Sequence, residues 1–149
     1  MVGRFGVFTL AISEISTYWN KIAAEEMKAY DLKAAHAIYL MTLYKNPDGI
    51  TAANLCEACN KDKAEISRAI SLLEKRGLVI RDSSASYRAP IKLTESGVAA
   101  AISIRERIGV AMQAGGEGIS SEERETFYKC LELILKNLKK ISKEGLPKC

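Results

Sequence analysis

The sequence predicts a mainly α-helical fold with one small β-hairpin. Over most of the chain, apolar residues recur at every third or fourth position, which is the period of a helix that buries one face. Between Leu78 and Leu93 this period gives way to the shorter alternation of two strands. A chain of 149 residues with 48% hydrophobic content can bury one core, so we expect a single compact unit over residues 1–149.

Two short helices joined by a sharp turn are predicted between Thr51 and Lys75. The Thr51 hydroxyl can cap the first helix, and Asn60 suits its end because Asn tolerates the left-handed backbone conformation. Asp62 followed by Glu65 has the spacing of a capping box that opens the second helix. A helix-turn-helix of this kind, followed by a hairpin, is typical of winged elements that bind duplex DNA.

The second helix has one apolar face and one basic face. Ile66, Ile70 and Leu73 share a stripe, which we expect to face inward. The opposite stripe carries small and basic residues without an acid, which suits close approach to bases and contacts with phosphates. An ordinary solvated helix face is the alternative. With their neighbours, the predicted DNA-binding residues are Thr51, Lys61, Lys63, Ala64, Ser67, Arg68, Ser71 and Lys75.

The hairpin, or wing, is predicted to bury only one of its faces. Leu78 and Ile80 alternate with Val79 and Arg81 in the first strand, and Ile91 and Leu93 alternate in the second. Pro90 cannot donate a hydrogen bond to a neighbouring strand, which predicts that its strand lies at an edge. The polar tip is expected to reach the DNA backbone or minor groove, although an ordinary loop is the alternative. The tip residues predicted to contact DNA are Ser84, Ser86, Tyr87 and Arg88.

The order and spacing of these elements resemble the MarR family of winged-helix transcriptional regulators. The matching runs are DKAEISRAISLLEKRGLVIRD and KLTESG, and the similar layout extends over nearly all 149 residues. The resemblance implies a homodimeric, sequence-specific regulator that binds double-stranded DNA with inverted half-sites. The wing departs from the family pattern of an acidic residue and paired arginines, because Ala85, Ser86 and Tyr87 stand there, followed by Arg88. The usual minor-groove arginine therefore cannot be carried over to its own position.

Long amphipathic helices are predicted at both ends of the chain. The N-terminal stripe consists of Phe8, Ile12, Ile15, Trp19 and Ile22, and the C-terminal stripe consists of Phe127, Leu131, Ile134, Leu138 and Ile141. The resemblance implies that these helices interlock with those of a second copy, whereas folding back onto one core is the alternative. We therefore expect a winged lobe at residues 33–97 and a dimerisation region at residues 4–30 and 98–143.

The remaining helices have recognisable ends. One is expected from about Lys33 to Lys45, and another from about Thr94 to Met112. The run GGEG marks a break after the second of these. Ser120 followed by Glu123 then predicts a capping box for the last helix.

Charge is concentrated in the central block. The whole chain has a net charge of +4, and the segment from Thr51 to Leu93 has eight basic and five acidic residues. This is the localised electrostatic footprint expected of a DNA-binding element. The apolar N-terminal stretch is interrupted by Ser13 and Glu14 before it reaches the length of a membrane span or resembles a secretory signal. We therefore expect a cytoplasmic protein without a membrane partner.

Metal binding and catalysis have little support in the sequence. Cys56 and Cys59 form a C-x-x-C, but they lie inside a predicted helix on the same face as Leu55, so we interpret them as packing thiols. Redox sensing and zinc binding are the alternatives, and zinc lacks a second paired motif. With one histidine and no recognisable nucleophile or phosphate-binding motif, we expect no enzyme, no cofactor and no metal site.

A small effector is the last expectation. The resemblance implies that a small aromatic or amphipathic compound binds where the dimerisation helices meet the winged lobe. The residues expected to line such a pocket are Trp19, Ile22, His36, Tyr39 and Tyr44, with ordinary core packing as the alternative. Two other functions stay open at this point. The winged face could bind protein instead of DNA, or the chain could be a ligand-binding helical protein without a DNA function.

Overall fold

The computed structural model describes residues 2–81 and 89–147, and its architecture is mainly helical with a two-stranded antiparallel hairpin, as predicted. The helices are α1 (Val2–Met27), α2 (His36–Tyr44), α3 (Ala52–Cys59), α4 (Lys63–Lys75), α5 (Glu95–Gly115) and α6 (Ser121–Glu144), with a 3-10 turn at Lys28–Tyr30. The strands are β1 (Val79–Arg81) and β2 (Ile91–Leu93). The chain divides into two compact units, with the boundary between residues 111 and 112. Within the described ranges, no helix is long and apolar enough to cross a membrane.

The core of the first unit lies beneath the helix-turn-helix. Ile66, Ile70 and Leu73 of α4 are almost completely buried, which confirms the predicted inward stripe. They pack in one cluster with Leu55 of α3 and Leu40 of α2. Burying one such side chain contributes about 1.5 to 3 kcal/mol to the free energy of unfolding. This core fixes α4 in place and leaves its opposite face to solvent.

Three caps fix both ends of α3 and the start of α4, as the sequence predicts. Thr51 Oγ1 accepts a hydrogen bond from the Asn54 N–H at 3.2 Å. Asn60 ends α3 with φ of 52°, in the left-handed region. The Asp62 carboxylate accepts from the Glu65 N–H at 2.7 Å and so begins α4.

One half of the predicted capping box at the start of α4 is wrong. The Glu65 carboxylate does not return to the Asp62 N–H. Its Oε1 instead accepts a hydrogen bond from the Tyr39 hydroxyl and lies 3.1 Å from Lys61 Nζ. By contrast, the box predicted for the last helix is complete, because Ser120 and Glu123 exchange both hydrogen bonds. A buried hydroxyl within reach of Glu65 explains the difference, and sequence spacing does not reveal such a neighbour.

The hairpin buries a different residue from the one that its sequence suggests. Val79 is buried with Ile91, whereas Ile80 is 58% exposed. Val79 pairs with Leu93 and Arg81 pairs with Ile91, so these four side chains share the face that is turned toward α4. Leu78 precedes the strand and is buried before the alternation starts. Reading the alternation from Leu78 therefore places Ile80 on the wrong face.

The prediction that Pro90 lies in an edge strand is also wrong. Pro90 precedes β2, and β2 pairs with β1 on one side. On its other side, Ile91 exchanges two backbone hydrogen bonds with Ile50, at 2.9 and 3.1 Å. The missing N–H of Pro90 therefore costs no pairing, because it falls one residue before the paired segment.

The LTESG segment fastens the wing to α5. Thr94 Oγ1 donates a hydrogen bond to the Gly77 carbonyl at 2.6 Å and accepts one from the Gly97 N–H at 3.0 Å. The Thr94 N–H donates to the Leu78 carbonyl at 3.0 Å. A Cβ atom at Gly97 would lie 1.9 Å from that same Leu78 oxygen, so only glycine allows this close approach.

Helix ends differ slightly from their predicted positions. α2 begins at His36 instead of Lys33, because residues 33–35 form a turn in which the Lys33 N–H donates to His36 Nδ1 at 3.0 Å. α5 continues to Gly115, three residues beyond the predicted end. Beyond the break, Arg124 Nη2 donates to the Gly116 carbonyl at 3.1 Å and closes the loop that leads into α6.

Candidate nucleic-acid interface

The outer face of α4 brings seven predicted DNA-binding residues onto one surface. They are Lys61, Lys63, Ala64, Ser67, Arg68, Ser71 and Lys75. All seven are exposed; Ala64, Arg68, Ser71 and Lys75 lie opposite the buried stripe, whereas Lys61 precedes the helix and Lys63 and Ser67 lie toward its side. Thr51 differs from them, since it is half-buried and its hydroxyl caps α3. Whether any of these residues touches DNA stays a prediction, but the side chains share the surface that such contact requires.

Acidic residues on α4 are paired with cations. Glu65 lies 3.1 Å from Lys61 and accepts a 2.8 Å hydrogen bond from the Tyr39 hydroxyl. The Tyr39 hydrogen bond, followed by the Lys61 contact, lowers the pKa of the Glu65 carboxyl. In turn, burial and the hydrogen bond to Glu65 raise the pKa of Tyr39. Glu65 is therefore ionised, and its negative charge is balanced by the contacts with Tyr39 and Lys61.

At the other end of α4, two ion pairs hold the helix to its neighbours. Arg81 of β1 contacts both carboxylate oxygens of Glu74, with Nη2 at 3.0 Å and Nε at 3.3 Å. This contact is the main reason that the pKa of Arg81 is raised. Arg76 binds Asp31, which follows the 3-10 turn. Because Glu74 and Asp31 are neutralised locally, they add little negative potential to the basic surface.

The wing-tip residues predicted to contact DNA lie outside the described residues. They are Ser84, Ser86, Tyr87 and Arg88. Their contacts with DNA stay predictions. Arg81 is the last described residue before the tip, and it fixes the base of the wing to α4.

The cysteines of α3 have different environments. Cys59 is only 5% exposed, and its Sγ lies 3.4 Å from Thr42 Oγ1. Burial raises the pKa of the Cys59 thiol. Cys56 is half-buried and packs at the border of the core. The prediction that both thiols lie on the buried face of α3 is therefore fully met only by Cys59. Among the residues that the structure describes, no group of three His, Cys, Asp or Glu side chains could hold a metal ion.

An apolar cleft adjoins the turn between α3 and α4. It has a volume of about 640 Å³ and lies within the first unit. Trp19 and Ala23 of α1, Ile38 and Met41 of α2, and Ile108 of α5 supply its apolar walls. Lys33 and Lys61 also line it, and among the described residues no carboxylate does. Sequence periodicity did not single out Lys33, because a lysine in a turn between helices carries no periodic signal.

The other residues predicted to bind an effector do not line this cleft. Tyr39 is 1% exposed and His36 is 8% exposed, so both belong to the core. Burial lowers the pKa of His36, whose Nδ1 accepts the Lys33 N–H. Ile22 is exposed on α1, and the Tyr44 ring lies under the Arg105 guanidinium at 5.2 Å. Of the predicted group, only Trp19 reaches the cleft.

The chain is similar to known transcriptional regulators. The MarR family model matches residues 30–88. The HTH-type transcriptional regulator YybA of Bacillus subtilis, described as uncharacterized, is 29% identical over 131 residues, which cover 87% of each chain. The structure of the transcriptional regulator SlyA has a TM-score of 0.81 at 26% identity and covers 89% of this chain and 94% of its own.

A further similar structure contains nucleic acid. A putative MarR family regulator from Listeria monocytogenes, complexed with 26mer DNA, has a TM-score of 0.81 at 23% identity and covers 95% of this chain and 97% of its own. The family and these relatives are transcriptional regulators and not enzymes, which agrees with the expectation drawn from the sequence. Residues 30–88 therefore match the MarR family, and the chain as a whole is similar in sequence and fold to winged helix-turn-helix transcriptional regulators.

Proposed function

We propose that the protein is a homodimeric regulator that reads a specific double-stranded DNA site through α4 and is released by a small amphipathic effector. The observation that carries this proposal is the outer face of α4. Small and basic side chains are exposed there on a helix whose other side is anchored in the core. A helix held rigidly in this way can present base-reading groups at a fixed depth in the major groove.

The side chains of this face divide by chemistry. Arg68 lies at the middle of the exposed stripe and can form two hydrogen bonds with the O6 and N7 atoms of a guanine. Ala64 and Ser71 are small, which lets the helix backbone approach the bases. Lys61 and Lys75 lie near the two ends of α4, where a groove-bound helix passes the phosphates.

Homodimer formation is supported by apolar surface on both units. On α1, Phe8, Ile12, Ile15 and Ile22 are exposed along the predicted stripe. On α6, none of the residues is buried, and Phe127 and Leu138 are more than half exposed. Contiguous apolar surface of this length marks an interface in a soluble protein. A two-fold dimer would present two copies of α4 to inverted half-sites about one helical turn apart.

Effector binding is supported by the cleft beside α1 and α2. Its volume of about 640 Å³ lies in the range of small-molecule sites. Apolar walls together with Lys33 and Lys61 favour an aromatic or amphipathic compound with a negative charge. Release from DNA requires only that the compound bind more tightly to the protein free of DNA, and about 1.4 kcal/mol of coupling gives a tenfold effect.

The experiment that tests this function is selection of bound sequences from random duplex DNA. We expect enrichment of an inverted repeat, and binding of the enriched site should weaken steeply as salt rises because several phosphates are contacted. Failure to enrich any sequence, or binding that does not respond to salt, would contradict the proposal. It would favour a winged module that binds protein, since such interfaces of ordinary composition depend weakly on salt.

A further inference from the structure

Lys61 lies in two environments at once. It is the residue before the Asp62 cap, in the turn that leads into α4, and its side chain is 37% exposed. Its ammonium group is 3.1 Å from Glu65 in the first turn of α4. The same side chain lines the apolar cleft that also contains Trp19. One cation therefore borders both the basic surface of α4 and the cleft.

The cleft can attract an anion through its lysines. Lys33 and Lys61 are the charged residues among those that line it. An apolar anion seated against Trp19 would place its charge toward one of these ammonium groups, because burying a carboxylate without a partner is unfavourable. Glu65 is able to release Lys61, since it retains the hydrogen bond from the Tyr39 hydroxyl.

We propose that an amphipathic anion in the cleft competes with a DNA phosphate for Lys61. This inference rests on the proposed function, since it assumes that the α4 surface contacts DNA. It differs from a mechanism in which the effector only changes the spacing of the two lobes. Competition for one cation removes a phosphate contact from each subunit, whereas a change in spacing does not specifically remove the contribution of Lys61.

The two mechanisms give different salt dependences. Each phosphate contact contributes about 0.9 to the slope of log affinity against log salt. Loss of one contact in each subunit of a dimer should therefore reduce the slope by about two units. The anion should also weaken DNA binding by roughly five- to tenfold at moderate salt, which is within the usual range of coupling between two sites.

The test uses 4-tert-butylbenzoate as the anion and 4-tert-butylbenzamide as its neutral counterpart of nearly the same shape. Binding to the full-length protein is followed by the fluorescence of Trp19, the single tryptophan of the chain. DNA binding to the selected site is measured over a salt series, with and without each compound. The variants are Lys61→Met, which keeps the apolar stem but removes the charge, Lys61→Arg, which keeps the charge, and Lys33→Met as the matched control.

We expect the anion to quench Trp19 and to lower the salt slope of the wild type toward that of Lys61→Met without the compound. In Lys61→Met the anion should still bind, aided by Lys33, but should weaken DNA binding by less than twofold. Lys33→Met should bind the anion less tightly, but a saturating concentration should weaken its DNA binding as much as that of the wild type. In Lys61→Arg the anion should also weaken DNA binding as much as in the wild type. The neutral amide should have little effect on DNA binding.

Three results would overturn the inference. The first is that the anion does not bind to the wild type. The second is that the anion weakens DNA binding of Lys61→Met as much as that of the wild type, and the third is that the bound anion leaves the salt slope unchanged. Specific DNA binding is measured first and without any compound, so a failure of the proposed function is seen before the anion is added. Failure of the inference is therefore distinguishable from failure of the proposed function.

Discussion

The Tyr39 hydroxyl donates a 2.8 Å hydrogen bond to Glu65 Oε1 and so joins the buried side of α2 to the first turn of α4. The two residues are 26 positions apart, and Tyr39 is 1% exposed. A buried hydroxyl needs a partner, and Glu65 supplies a charged one. The hydrogen bond therefore helps to set the position from which α4 presents its outer face.

Tyr39→Phe tests this connection. The variant keeps the ring and its packing but removes the donor, so we expect a loss of about 1 kcal/mol in the free energy of unfolding. DNA affinity should fall a few-fold, because the first turn of α4 loses the hydrogen bond that holds it to α2. Urea denaturation and DNA titration measure the two effects. A variant as stable as the wild type would show that the hydrogen bond contributes nothing net.

The same hydrogen bond predicts a pH dependence. The pKa of Glu65 is lowered in the folded protein from an ordinary value of 4.5, chiefly by Tyr39. A carboxyl with a lowered folded-state pKa adds stability that is fully present above its unfolded pKa and is lost as the pH falls through the folded value. The difference in stability between wild type and Tyr39→Phe should therefore shrink below about pH 4.5. A difference that stays constant from pH 7 to pH 3 would contradict this assignment.

Gly97→Ala should destabilise the winged lobe. The new Cβ atom would lie 1.9 Å from the Leu78 carbonyl oxygen, so the backbone between the wing and α5 must move. We expect a loss of about 3 kcal/mol, the upper end of ordinary overpacking costs. Gly109→Ala is a matched control on the same helix, since nothing lies within 4 Å of a Cβ atom there. That variant should be as stable as the wild type or up to about 1 kcal/mol more stable, because alanine favours the helix.

The sequence predicts most of this lobe because its signals are local. The caps at Thr51, Asn60 and Asp62 and the buried stripe of α4 follow from spacing within a few residues. The errors arise where distant parts of the chain meet. Ile50 pairs with the strand after Pro90. Tyr39 takes Glu65 out of its capping box.

The candidate site divides in the same way. The exposed face of α4 follows from helical periodicity once its buried stripe is known. The lining of the cleft cannot be predicted from periodicity, because it combines Trp19, Lys61 and Ile108 from segments that are far apart in sequence. His36 and Tyr39 look suitable for a ligand as residue types, but tertiary packing places them in the core.

Arg68→Ala should separate base recognition from phosphate contact. If Arg68 bonds to a base, its loss should cost about 1 to 3 kcal/mol on the selected site and much less on random DNA. Lys75→Ala is the comparison, since a phosphate contact should lose similar affinity on both DNAs. Fluorescence anisotropy at several salt concentrations measures the affinities of the wild type and both variants for the two DNAs. An equal loss for Arg68→Ala on both DNAs would make Arg68 a phosphate contact, and no loss on either would remove it from the interface.

Leu138→Glu should disrupt the proposed dimer. Leu138 lies on the apolar stripe of α6 and is 53% exposed in the single chain, so a partner would have to bury the new carboxylate. Leu133→Glu is the matched control, because Leu133 is 58% exposed but lies about 140° away around the helix. Sedimentation equilibrium should find a weakened dimer for Leu138→Glu only. A dimer that survives in Leu138→Glu would place the interface elsewhere.

Mild peroxide should leave DNA binding intact. Cys59 is buried and its pKa is raised by burial, so little reactive thiolate forms at neutral pH. Among the cysteines that the structure describes, Cys130 on α6 is exposed and should react first. Measurements on the double variant Cys130→Ser/Cys149→Ser, which retains Cys56 and Cys59, therefore isolate the pair in α3. Treatment of this variant should cost less than twofold in DNA affinity. A large loss that a thiol reverses, and that is absent when Cys56→Ser or Cys59→Ser is added, would instead identify the C-x-x-C of α3 as a redox switch.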